Sequence, residues 1–219
     1  MIGEHRTNRL GASSLAYVGG RPYIRGADLY ALFDDLIHSK TPDLAPRLID
    51  RFRLVREVRR DGAWYLAPAE DASATIEFTD ARGERRMAGF VEEGAEITAR
   101  RPDIDSVVSD IAPAGDFAGQ ARLAPLASRR DLIDGLIEAN KAVHARTLAA
   151  RGLPADTIRL IYIESLPVID VDARDAGREI EIRHLGEHAA AGRTFTLNAA
   201  QFTDPAGRPF APVSICYSF

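Results

Sequence analysis

The stretch SRRDLIDGLIEANKAVHARTLAARGLP, residues 128–154, decides the fold. Ser128 followed by Asp131 is a helix-start signal. The hydroxyl accepts from a free backbone N–H, and the carboxylate favours the positive end of the helix. Ile133, Leu136, Ile137, Asn140, His144 and Leu148 then recur on one stripe, flanked by Val143. Gly152 and Pro154 stop the pattern, so a helix is predicted over Arg129–Leu148. An extended segment, Phe117–Pro125, leads into it, and strands follow. Ile158–Ile163 is apolar on both faces, as suits a strand covered on both sides. Glu179–His184 and Thr194–Asn198 alternate, with Ile180 and Ile182 on one side. The turn Asp204–Gly207 leads into a last strand, Phe210–Tyr217.

The same order occurs once earlier in the chain. Ser13–Gly20 is extended, and Gly19-Gly20-Arg21-Pro22 reads as a turn. A helix is predicted over Ala27–Ile37, with Leu29, Phe33, Leu36 and Ile37 at helical spacing. Leu48–Arg60, Ala63–Ala67 and Ala74–Thr79 read as strands. A hairpin turn at Asp80–Gly83 returns along Arg86–Glu92. Thr98–Asp116 holds Pro102, Pro113 and Gly115 with little periodicity and reads as a connection. The expected organisation is therefore two similar halves, 1–97 and 117–219, joined by 98–116. The class is α+β. One long helix wrapped by a bent antiparallel sheet, occurring twice, resembles the double hot-dog fold.

Composition bounds the function. The chain has 219 residues, 46% hydrophobic, with a net charge of −4. That suffices for a real core and provides no broad basic field, which argues against nucleic acid as a partner. The local run Arg51, Arg53, Arg56, Arg59 and Arg60 reads as a solvated strand face or as a docking patch for an acidic carrier protein. The single cysteine, Cys216, excludes an internal disulfide framework and fits a reducing cytoplasm. Met1–Gly11 lacks the apolar run of a signal peptide, and no segment approaches the roughly 20 apolar residues of a membrane span. No glycine-rich phosphate loop follows a strand and no His/Cys cluster has metal-ligand spacing, so neither cofactor nor metal is expected.

Three segments resemble polyketide-synthase dehydratase domains. Leu15–Leu29, LAYVGGRPYIRGADL, is similar to their first motif, H-x-x-x-G-x-x-x-x-P-G. Leu132–Ala139, LIDGLIEA, is similar to the second, L-x-D-x-x-x-Q/H, and 202–211, FTDPAGRPFA, to their last hairpin. Gly20, Gly26 and Asp134 fall on motif positions. Ala16 stands at the histidine position, Arg25 at the proline position and Glu138 at the Gln/His position. The resemblance implies a double hot dog acting on an acyl thioester of an acyl carrier protein or CoA. In those domains the histidine removes the proton beside the carbonyl and the aspartate protonates the departing hydroxyl. With alanine at position 16, the acid is present and the base is not.

The candidate site residues follow from these matches and from chemistry. Asp134 is the candidate acid, with Glu138 four residues on along the same helix face. Asn140 and His144 are polar at the centre of the stripe. A neutral imidazole there would serve as base, with Asn140 orienting it or binding substrate, and the alternative is a self-satisfied buried pair. Tyr17 and His184 are further replacement bases, each with a packing role as its alternative. Gly20, Gly26 and Ala27 are candidates for substrate contact, Gly26 or Ala27 through a backbone N–H polarising the thioester carbonyl. Arg25 is a candidate anion binder. The expected reaction is dehydration, isomerisation or cyclisation. The alternatives are a non-catalytic subunit that binds an acyl chain or pairs with an active partner or second copy, and a hot-dog thioesterase or acyltransferase.

Overall fold

Ser128 starts the second long helix where the sequence places it: its Oγ accepts from Asp131 N at 3.2 Å. The computed structural model describes residues 8–67, 70–102, 107–126, 128–168, 178–203 and 207–219. The chain divides into two compact units, 1–104 and 105–219.

The first unit contains β1 (Arg9–Ser13), β2 (Tyr17–Val18), α1 (Gly26–Lys40), β3 (Pro46–Leu54), β4 (Arg60–Tyr65), β5 (Ala74–Asp80), β6 (Arg85–Glu96) and β7 (Arg100–Arg101). Five strands form an antiparallel sheet in the order β1-β4-β6-β5-β3, and β2 pairs with β7 in parallel. Helix α1 lies on this sheet. Phe33 meets Trp64 of β4 and Phe78 of β5 edge-on at 5.3 and 5.4 Å, and Tyr30 meets Phe52 of β3 at 6.1 Å. Four strands thus give the helix an aromatic-rich floor, since Phe90 of β6 adds an edge contact to Trp64 at 5.7 Å. The β5–β6 turn is closed by Asp80. Its Oδ1 accepts from the backbone N–H groups of Arg82 and Glu84, both at 2.9 Å, and its Oδ2 accepts from Arg86 Nε at 3.1 Å.

The second unit contains β8 (Val108–Gly115), β9 (Ala118–Leu123), α2 (Arg129–Ala150), β10 (Arg159–Pro167), β11 (Glu179–Ala190), β12 (Arg193–Phe202) and β13 (Val213–Ser218). All neighbours in the order β10-β13-β12-β11-β9-β8 are antiparallel. Helix α2 runs two residues past the expected end. Gly152 stops it at φ +70, the left-handed conformation that lets Leu153 N donate back to Leu148 O at 2.8 Å. The single cysteine, Cys216, is buried in β13 between β10 and β12, and burial raises its thiol above the ordinary value.

Two segments depart from the sequence reading. The expected connection holds two strands, β7 and β8. Strand β8 is an edge, mostly exposed and carrying Pro113, so it has no buried face to impose alternation. The segment Leu48–Arg60 leaves the ladder at Leu54, where Val55 N and Arg56 N both turn to Ser73 O at 2.9 and 3.2 Å. The arginine run beyond it ties loops together. Arg56 bonds Glu92 and the Asp71 carbonyl, Arg59 bonds Glu57, and Arg60 bonds the Gly94 carbonyl. Of the expected turn Asp204–Gly207, residues 204–206 lie outside the described residues.

Candidate functional site

On α2, every residue from Leu132 to Ile137 is buried, so this part of the helix is covered on all sides. Asp134 lies within that run with 5% exposure. A carboxylate so placed is costly unless it is compensated. Arg130 Nε stands 3.7 Å from Asp134 Oδ2, one turn back along the helix. Glu138 follows one turn further on and is half-buried. Between them, Gly135 lets α2 approach β9 closely, since a Cβ there would meet the Leu123 side chain at 2.7 Å.

One and a half turns further on, the polar centre of the stripe forms a closed network. Asn140 Nδ2 donates to Leu136 O at 2.9 Å, and Asn198 Nδ2 donates to Phe117 O at 2.9 Å. Carbonyls only accept, so both amide orientations are fixed by the backbone. Asn140 Oδ1 then accepts from Asn198 at 3.4 Å, and Asn198 Oδ1 accepts from His184 Nδ1 at 3.2 Å. His144 Nδ1 donates to Asn140 O at 2.8 Å. Its Nε2 is therefore the acceptor, taking the Thr196 hydroxyl at 2.6 Å. Burial drives the His144 pKa down to about 4. The Asn140 carbonyl pulls it upward less strongly, and nearby His184 adds a small push down. At neutral pH His144 is an uncharged ring with both nitrogens engaged. Tyr217 sits 4.8 Å from it, and burial raises the pKa of its phenol, whose OH donates to Ile137 O at 3.1 Å. Asn140, His144 and His184 thus come together, while Asp134 and Glu138 stand apart from the network.

In the first unit, Arg25 caps α1 from an extended conformation with no side-chain cap. Its guanidinium instead meets Asp28 at 3.3 Å, and Arg101 meets the same carboxylate at 2.5 Å. Gly26 and Ala27 are buried in the first helical turn, while Gly20 is exposed in the turn before. Ala16 is half-buried. Tyr17 is buried, and its hydroxyl donates to Arg59 O at 3.3 Å.

No family model and no curated protein sequence matches the chain. Solved structures do. An oleoyl thioesterase structure from Lactobacillus plantarum matches with TM-score 0.53 and 11% identity, over 96% of this chain and 95% of that one. A tesB protein from Mycobacterium avium subs paratuberculosis matches with TM-score 0.51 and 10% identity, over 96% of each chain. The dehydratase domain of the polyketide PpsC from Mycobacterium tuberculosis matches with TM-score 0.49 and 11% identity, over 90% of this chain and 84% of that one. The fold is a double hot dog.

In this double hot dog, the sequence locates the helices that bear the candidate residues and misses several of their partners. Thr196, Asn198, Phe117 and Arg130 were not among the candidate site residues. A signal existed for two of them: Thr196 and Asn198 stand in phase with Ala200 and Phe202, the inward residues of β12. Polar side chains in phase with buried apolar ones need partners inside. Among the described residues, no group of His, Cys, Asp and Glu is placed to hold a metal ion, and no helix is long and apolar enough to cross a membrane.

Proposed function

We propose that this double hot dog acts on an acyl thioester, carried by an acyl carrier protein or CoA, with Asp134 as the proton-donating group beside the thioester. The observation that supports the reading is a carboxylate at 5% exposure in a fully buried turn of α2, at the aspartate position of the dehydratase motif. Proton transfer to a departing hydroxyl needs an acid sheltered from water, and a buried helix position supplies shelter and fixed orientation. The reaction class is dehydration, double-bond isomerisation or cyclisation. His144 is a poor candidate for the missing base, because both its nitrogens are taken. His184 is the better one, because Asn198 fixes its Nδ1 as donor and leaves Nε2 with the lone pair.

A second reading has its own support. Arg130 beside Asp134 suits a charged carboxylate, which accepts a proton from water. That is the form needed for thioester hydrolysis. A role as a non-catalytic subunit is the remaining outcome. Intact-mass analysis of β-hydroxyacyl and enoyl carrier-protein thioesters, with wild type and Asp134→Asn, separates the three. Loss of water that the variant abolishes supports the first reading. Release of free acid supports the second. Unchanged thioesters, with unchanged double-bond position and no ring by product analysis, would sink both.

A further inference from the structure

A recess of about 390 Å³ in the first unit is lined by Tyr17, Arg59, Glu96, Thr98 and Arg100, among others. Its construction is specific. Parallel pairing of β2 with β7 sets Tyr17 opposite Arg100, whose guanidinium carbon lies 5.3 Å from the phenol ring centre. Arg100 Nη1 donates to Gly19 O at 2.9 Å and to Arg21 O at 3.3 Å. Both acceptors are neutral carbonyls. They fix the guanidinium without cancelling its charge, and its other N–H donors are held in a rigid fork. The Tyr17 hydroxyl donates to the backbone carbonyl of Arg59, so the phenol that stacks with Arg100 also ties down the backbone that carries Arg59. Arg59 pairs with Glu57 at 2.7 Å, an exposed contact of the kind that a stronger anion displaces at little cost. Thr98 adds a hydroxyl to the lining. Glu96 is the opposing charge there and works against any anion.

We propose that this recess binds the phosphate of a phosphopantetheine arm, with Arg100 as the principal contact and Arg59 as the second. A guanidinium fork matches phosphate oxygens in pairs, and the aromatic floor keeps the fork from swinging away. Phosphopantetheine as the bearer of that phosphate rests on the thioester reading above. The phosphate site itself rests on the recess.

The test is calorimetric titration of the whole chain with phosphopantetheine, pantetheine and inorganic phosphate. Phosphopantetheine should bind roughly ten- to a hundredfold more tightly than pantetheine, the range for a hydrogen bond to a charged group. Raising salt should narrow the gap. Arg100→Gln should erase the preference, Arg100→Lys should keep part of it, and Glu96→Gln should widen it. Equal binding of the two arms by wild type, no binding of either, or an Arg100→Gln variant with its preference intact would overturn the proposal. Inorganic phosphate binding as tightly as phosphopantetheine would overturn the assignment of the bearer. The two readings fail separately. Turnover at Asp134 without a phosphate preference removes only the recess, and a phosphate preference without turnover removes only the chemistry.

Discussion

His144 donates its Nδ1 proton to the carbonyl oxygen of Asn140, one turn back on the same helix, at 2.8 Å. That bond decides what the ring can do. It fixes the tautomer and leaves Nε2 to accept from Thr196. With its pKa at about 4 against an ordinary 6.5, the ring stays neutral in the fold but takes a proton readily once unfolded.

The sign of the pH effect follows. Between pH 6.5 and about 4 the unfolded chain binds the proton and the folded chain does not, so stability falls as pH drops through that window. The site's share amounts to about 3 kcal/mol by pH 4. Urea midpoints of wild type and His144→Gln, measured from pH 7.5 to 4.5, check this. The variant should be the less stable at pH 7.5, and the difference should shrink steadily below pH 6.5.

Asn198 serves three groups at once: the Phe117 carbonyl, Asn140 Oδ1 and His184 Nδ1. Asn198→Ala strands buried polar atoms on α2 and at Phe117, which sits at φ +52. The expected loss is about 2–4 kcal/mol. A chemical denaturation curve with an unchanged midpoint would show that the network carries little of the unit's stability.

Ser128→Ala removes a side-chain cap of α2, the bond to Asp131 N. About 1 kcal/mol should be lost, and Ser128→Asp should restore most of it. Thermal melting of the three proteins measures both steps.

Asp80 governs the acid side of stability. Burial pushes its carboxyl up, but the Glu84 N–H, the Arg86 guanidinium and the Arg82 N–H outweigh it and hold the pKa below the ordinary 3.8. Its contribution is therefore complete above that value and is lost as pH falls below it through the lowered pKa. Asp80→Ala should lower the melting temperature at pH 7, with a gap that closes as the buffer approaches pH 2. A gap independent of pH would mean that the turn does not depend on the charge.

What the sequence could show was governed by burial. Both helices were legible because Phe33, Ile37, Leu136 and Val143 face a core and recur at its period, and Ser128 and Gly152 mark boundaries chemically. Strand β8 was illegible because an edge strand open to solvent has no period to display. Asp134 and Glu138 became candidates through the motif, since nothing in the local pattern distinguishes a buried aspartate from a capping one. His184 and His144 were visible as candidates, but the Asn198 that joins them lies more than fifty residues beyond His144 and is paired by the β11–β12 register. Nothing local in the sequence encodes that register.

Cys216 gives the second unit a built-in reporter. Its thiol is buried within β13, flanked by hydrogen-bonded strands on both sides, and raised above its ordinary pKa. An alkylating reagent therefore meets no reactive thiolate until the strand opens. Because the chain has one cysteine, its rate of modification counts openings of that strand directly, without any introduced label.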